Sequence, residues 1–183
     1  MTASGTAATG LVIAVLVLLG LTAVLGLLLA ARGERVRRVW EAVLLALFVA
    51  VAAFLAWLAA DVSESLVAWA AVAAVLAAIA AGGPVTTAVL RAADPSAVGV
   101  AGGPQDPDVL RGGAWIGILE RAAVASALLA GSAEGLVVVL GVKGLGRYAE
   151  LRAPAAAERF IIGTLASALW AAACVGVALL VRN

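Results

Sequence analysis

Glu120, Arg121, Lys143, Arg147 and Glu158 are ionisable residues lying within or beside the apolar runs that fill the second half of the chain. A charge at the centre of a membrane span costs at least roughly 2.5 to 3.5 kcal/mol, so in such a setting each must face protein or water rather than lipid. Three chemistries are open to the set. Opposite charges can pin helices in register; the cluster can handle an anion, a proton or a small solute; or the sole lysine, Lys143, can activate a hydroxyl nucleophile, for which Ser126, Thr164 and Ser167 are the candidates. Nothing in the spacing favours the nucleophile. Other catalysis is largely closed, because the chain has no histidine and one cysteine, Cys174. That excludes Ser-His triads and His-based zinc or haem sites, and within one chain a disulfide framework, a zinc knuckle and an iron-sulfur cluster. Cys174 lies in an apolar run and reads as a small buried apolar residue.

The elements that must position these residues follow from composition. Of 183 residues, 65% are hydrophobic and 13% charged, and mean hydropathy is +1.16. A soluble domain needs roughly a quarter of its residues charged. The expected class is therefore all-α, a polytopic transmembrane helix bundle whose first partner is the lipid bilayer, with no nucleic acid, metal or cofactor implied.

Runs of about 20 apolar residues mark the spans. They extend from Thr9 to Ala31, Trp40 to Ala60, Leu66 to about Leu90, Gly113 to Gly131, Gly135 to about Gly146, and Phe160 to Val181. Six crossings are expected. The first is read as retained, since it exceeds a signal h-region and no basic residue precedes it. Gly82-Gly83-Pro84 interrupts the third, where a kinked crossing is expected over a helix end. The fifth is short, so Lys143 and Arg147 must lie at membrane depth or snorkel. Ten of the twelve basic residues fall in alternate gaps: Arg32, Arg35, Arg37 and Arg38; Arg91 and Arg111; Lys143, Arg147, Arg152 and Arg159. The positive-inside rule then places both termini outside the cytoplasm. The arginines of the first gap are placed to meet anionic lipids, although orientation signalling explains them equally well.

The chain divides into a three-span half, 1–90, a Pro/Gly/Asp loop, 91–112, and a second three-span half, 113–183, that carries the charges. The loop aspartates read as turn chemistry rather than a metal site. Trp40, Trp115 and Tyr148 fall near the cytoplasmic interface, whereas Trp57, Trp69 and Trp170 fall deeper. Eleven arginines to one lysine, with abundant alanine, fit a GC-rich genome, and a bacterial cytoplasmic membrane is the expected location.

Gly113, Gly117 and Glu120 share one helix face through their i, i+4, i+7 spacing. Glu120 and Arg121, as sequence neighbours, point about 100° apart and so need separate partners. From a turn centred near Ala133, Glu120 lies thirteen residues before, and Lys143 and Arg147 ten and fourteen after. A rise of about 1.5 Å per residue brings these to similar depth. A bridge from Glu120 to Lys143 or Arg147 is therefore expected, with Gly141, Gly144 and Gly146 allowing close packing. Gly163, Thr164 and Ser167 add small and hydroxyl-bearing positions on the last span.

The stretches Gly117-Ile-Leu-Glu-Arg121, Val142-Lys-Gly-Leu-Gly-Arg147 and Ala157-Glu-Arg-Phe-Ile-Ile-Gly-Thr-Leu-Ala-Ser167 resemble a family of bacterial multi-pass integral membrane proteins of unknown function. Its members share Ile-Gly-x-Leu-Glu-Arg, Lys-x-x-x-Arg and Glu-x-x-x-Ile-Gly-Thr-x-x-Ser motifs. The resemblance covers roughly Gly112 to Ala173. It marks Glu120, Arg121, Lys143, Arg147, Glu158, Gly163, Thr164 and Ser167 as one constellation, with Glu158 a partner for Arg121 or Arg147. The leading expectation is a non-enzymatic structural or assembly subunit, with a homo-oligomer or a membrane partner subunit in view. The alternative is a small transporter or channel that uses the charged cluster.

Overall fold

A computed structural model describes residues 3–32, 39–60, 62–94, 113–148, 150–152 and 154–182. Among them the chain is all-helical. The helices are α1 (Ala3–Ala31), α2 (Val39–Leu58), α3 (Glu64–Ala93), α4 (Gly113–Leu129), α5 (Ala133–Gly146) and α6 (Pro154–Arg182), with a 3₁₀ turn at Glu150–Arg152 before α6. Arg35, Arg37 and Arg38 lie outside the described residues, as does residue 61 and all of the 91–112 loop beyond Asp94.

Four helices are long and apolar enough to cross a membrane: Thr6–Ala31 within α1, then α2, α3 and α6. The other two are shorter. With 17 and 14 residues, α4 and α5 measure about 25 Å and 21 Å, against a hydrocarbon core of about 30 Å.

α3 is the central helix, packing against α1, α2, α4 and α6, while α5 packs chiefly against α4. Its buried face is built from Ala70, Ala74, Ala77, Ala78, Ala81, Gly82, Val85 and Ala88. Lipid tails are as apolar as leucine, so burial gives helices in a bilayer little reason to associate; close van der Waals contact does, and small side chains allow it. Gly26 shows this at its limit. A Cβ there would stand 2.6 Å from Ala81 Cα, so α1 meets the α3 backbone directly. Leu19, Thr22 and Leu29 are buried along the same stripe of α1, and Leu45, Val49, Ala52 and Ala56 along that of α2.

α3 runs unbroken through Gly82-Gly83-Pro84. Proline removes the donor that would satisfy the Ala80 carbonyl, a cost that neighbouring groups offset in membrane helices. Just upstream of Pro84, Ala77 O accepts from Trp170 Nε1 at 3.4 Å and Ile79 O from Arg121 Nε at 3.2 Å. Thr87 Oγ1 donates to Gly83 O at 2.9 Å. The interruption is a seat for other helices rather than a helix end.

The aromatic residues correct one expectation. Trp57 and Trp69 are exposed and lie within two turns of the ends of α2 and α3, while Trp170 alone of the three deep tryptophans is buried, at 6% exposure. Cys174 is buried in α6.

Candidate functional site

The turn between α4 and α5 sets the geometry of the first charged pair. Gly131 takes φ +66°, a left-handed conformation that glycine adopts without steric cost. Around it Ser132 N–H donates to Ala127 O at 2.9 Å and Gly131 N–H to Leu128 O at 3.0 Å, the bonding of a Schellman stop. Ser132 then caps α5, its Oγ accepting from Gly135 N–H at 3.0 Å. With both helix ends closed in so few residues, the hairpin register is set locally. Glu120 and Lys143 fall at one depth, and Lys143 Nζ donates to Glu120 Oε2. Each side chain keeps 20% exposure, and Lys143 Nζ also stands 6.0 Å from the centre of the Phe160 ring on α6.

Arg121, one residue on from Glu120, turns to a different neighbour. It is 8% exposed and lies in a seat made by glycines. A Cβ on Gly82 of α3 would stand 2.2 Å from Arg121 Cδ and 2.7 Å from Nε, and a Cβ on Gly117 would stand 3.1 Å from Nη1. The side chain therefore runs back along α4 over Gly117, the direction long residues take on a helix, and crosses the flank of α3. Its Nε bonds to Ile79 O; among the described residues no carboxylate forms an ion pair with it.

The remaining expected positions divide. Thr164 and Ser167 lie on α6, Ser167 buried and Thr164 Oγ1 buried with no hydrogen-bond partner. Gly163 makes an ordinary contact with the tip of Leu90, 3.5 Å from where its Cβ would be. Arg147 is the C-cap of α5, its backbone N–H donating to Gly144 O at 3.3 Å, and it makes a further interaction. Gly113 opens α4. Arg32 is exposed just beyond α1.

Two expectations are corrected. Gly141, Gly144 and Gly146 have open space where a Cβ would be, because α5 buries no residue and these positions do not face α4 closely. Glu158 is exposed and pairs with neither Arg121 nor Arg147 among the described residues. The acid at that end of the bundle is instead Asp94, the C-cap of α3, which accepts from Arg159 Nη2 at 2.9 Å and Nε at 3.1 Å. Sequence reasoning missed this pair, in which both donors meet one carboxylate oxygen, Oδ2. Its one signal was an aspartate capping a span opposite an arginine opening another, and 65 residues separate them.

A separate apolar recess of about 940 Å³ lies between α2, α3 and α6, lined among others by Ala50, Ala53, Val89, Ala166, Ala173 and Gly176. Its wall has almost no polar atoms, so it suits hydrocarbon and carries no chemistry of its own. The chain matches no protein-family model, no curated protein and no solved structure. The resemblance drawn from the three motifs thus stands on those motifs alone.

Proposed function

We propose that this chain is a six-crossing integral protein of a bacterial cytoplasmic membrane, with both termini outside, that works as a non-enzymatic structural or assembly subunit. The observation that carries this reading is that Glu120, Arg121 and Lys143 are each engaged in joining helices. Lys143 and Glu120 join α5 to α4, and Arg121 joins α4 to α3. A bilayer-embedded charge used in this way gives register at a cost in desolvation.

A double-mutant cycle on thermal stability in nanodiscs tests it, with Glu120→Gln, Lys143→Met and the pair. Breaking a fully buried ion pair costs about 3 to 5 kcal/mol. With a fifth of each side chain exposed, roughly 1 to 2 kcal/mol is expected for each single change, and recovery of most of that in the double. A Glu120→Gln protein as stable as the parent, or more so, would overturn the structural role, and flux measurements in liposomes would then decide between an anion, a proton and a small solute.

The crossing count has its own test. In this reading the α4–α5 hairpin, though short, reaches the outer surface through local thinning of the bilayer. Ser132→Cys in a Cys174→Ser background should then react with a membrane-impermeant maleimide added outside intact cells. Labelling only after the cytoplasmic face is opened would make the hairpin re-entrant and leave four crossings.

A further inference from the structure

Arg121, only 8% exposed, carries more donors than the fold uses. Beyond the bond from Nε to Ile79 O, its terminal nitrogens make no hydrogen bond among the described residues. They lie in the seam between α3 and α4, near Gly117 and, at 3.9 Å from where its Cβ would be, near Gly83. Ile79, Gly82, Gly83 and Thr86 follow i, i+3, i+4, i+7 spacing and so form one face of α3. Thr86 is therefore one turn along from the glycine that seats the arginine, and its Oγ1 is buried with no partner. Two other threonines of the bundle behave differently. Thr22 and Thr87 bond back to the carbonyl four residues earlier, at 2.8 and 2.9 Å, as helical threonines do.

α6 supplies the opposite wall. Trp170 flanks Gly82, and Gly163 meets Leu90, so α6 runs antiparallel to α3. That register brings Ser167 to the level of Thr86 and Thr164 about one turn nearer the Asp94–Arg159 end. Ser167 is buried, and Thr164 Oγ1 is buried and unpartnered like that of Thr86. Glu120, the acid beside Arg121 in sequence, is held by Lys143. The groups left over are thus a guanidinium and hydroxyls, all able to donate, with one positive charge among them. In a low-dielectric interior such a set is satisfied by an anion.

We propose that Arg121, Thr86 and Ser167 form a binding site for a small monovalent inorganic anion of the halide class, with Thr164 on the approach from the Asp94–Arg159 end. The site is independent of the scaffold role, since binding requires no transport.

The test uses the full chain in nanodiscs with Trp40, Trp57, Trp69 and Trp115, all exposed, changed to Phe, so that Trp170 beside the site is the reporter. Bromide should quench Trp170 saturably, and chloride should reverse the quenching. Thr86→Val removes an unpartnered buried hydroxyl and so keeps the fold at least as stable, yet it should weaken bromide binding about fivefold, the effect of one hydrogen bond. In the chain with all its tryptophans, chloride should raise Tm relative to gluconate at equal ionic strength, and Thr86→Val should diminish that rise. Quenching that grows linearly and ignores chloride, or a Thr86→Val protein with the parent's saturation curve and Tm response, would overturn the site.

Discussion

Replacing Gly26 by valine is expected to lower stability by roughly 3 kcal/mol, among the larger overpacking effects known, and to reduce the yield of folded protein. A Cβ at Gly26 would stand 2.6 Å from Ala81 Cα and 2.7 Å from its N and Cβ. These are backbone and backbone-fixed atoms, so no rotamer change relieves the contact. The helices must separate, and the buried stripe of Val12, Val15, Leu19, Thr22 and Leu29 on α1 then loses part of its packing. Gly26→Ala should show a smaller loss of the same sign. Gly20 is the control, because a Cβ there meets nothing within 4 Å, and Gly20→Val should change stability by no more than about 0.5 kcal/mol. Denaturation in detergent measures all three. Equal stability of the Gly26→Val and Gly20→Val proteins would mean that α1 and α3 do not meet backbone to backbone.

The second large effect is expected at Gly82. Alanine there places Cβ 2.2 Å from Arg121 Cδ and 3.1 Å from Trp170 Cδ1, so the arginine must leave its seat. Eviction removes the bond to Ile79 O and leaves a charge without a place inside the bundle. Roughly 2 to 4 kcal/mol follows from overpacking together with the lost charged hydrogen bond. The cause can be separated from a generic helix defect, since alanine is the better helix former and by propensity alone would stabilise. Combining Gly82→Ala with Arg121→Ala should recover much of the loss, because the occupant of the seat is gone. Strict additivity of the two changes would place the arginine elsewhere.

How much of this was legible in the residues is clearest at the α4–α5 hairpin. The depth match of Glu120 and Lys143 could be counted from the turn alone, because Gly131 and Ser132 close both helix ends within a few residues. Local geometry propagates at 1.5 Å per residue and needs no knowledge of other helices. The seat of Arg121 was not legible in this way. Gly82-Gly83-Pro84 reads locally as an interruption; that it accepts an arginine depends on a helix some forty residues away. For the same reason the glycines of α5 looked like packing positions and are open, while Gly82, which reads as part of an interruption, and Gly26 make the closest approaches.

The sequence by itself determined the all-helical class, the order of six apolar helices and the place of the α4–α5 turn, because hydropathy is a property of contiguous residues; that four of the six are long and apolar enough to cross a membrane came from the structure. The tertiary structure alone decided which small residues are contacts, what packs against the Gly82-Gly83-Pro84 stretch, and that Asp94 rather than Glu158 meets an arginine of α6. In a chain so uniformly apolar every helix face is nearly equivalent to lipid, so periodicity cannot say which face meets which neighbour. That choice is made by close contact between helices distant in the chain, at the few positions where a missing side chain lets two backbones, or a backbone and an arginine, come together.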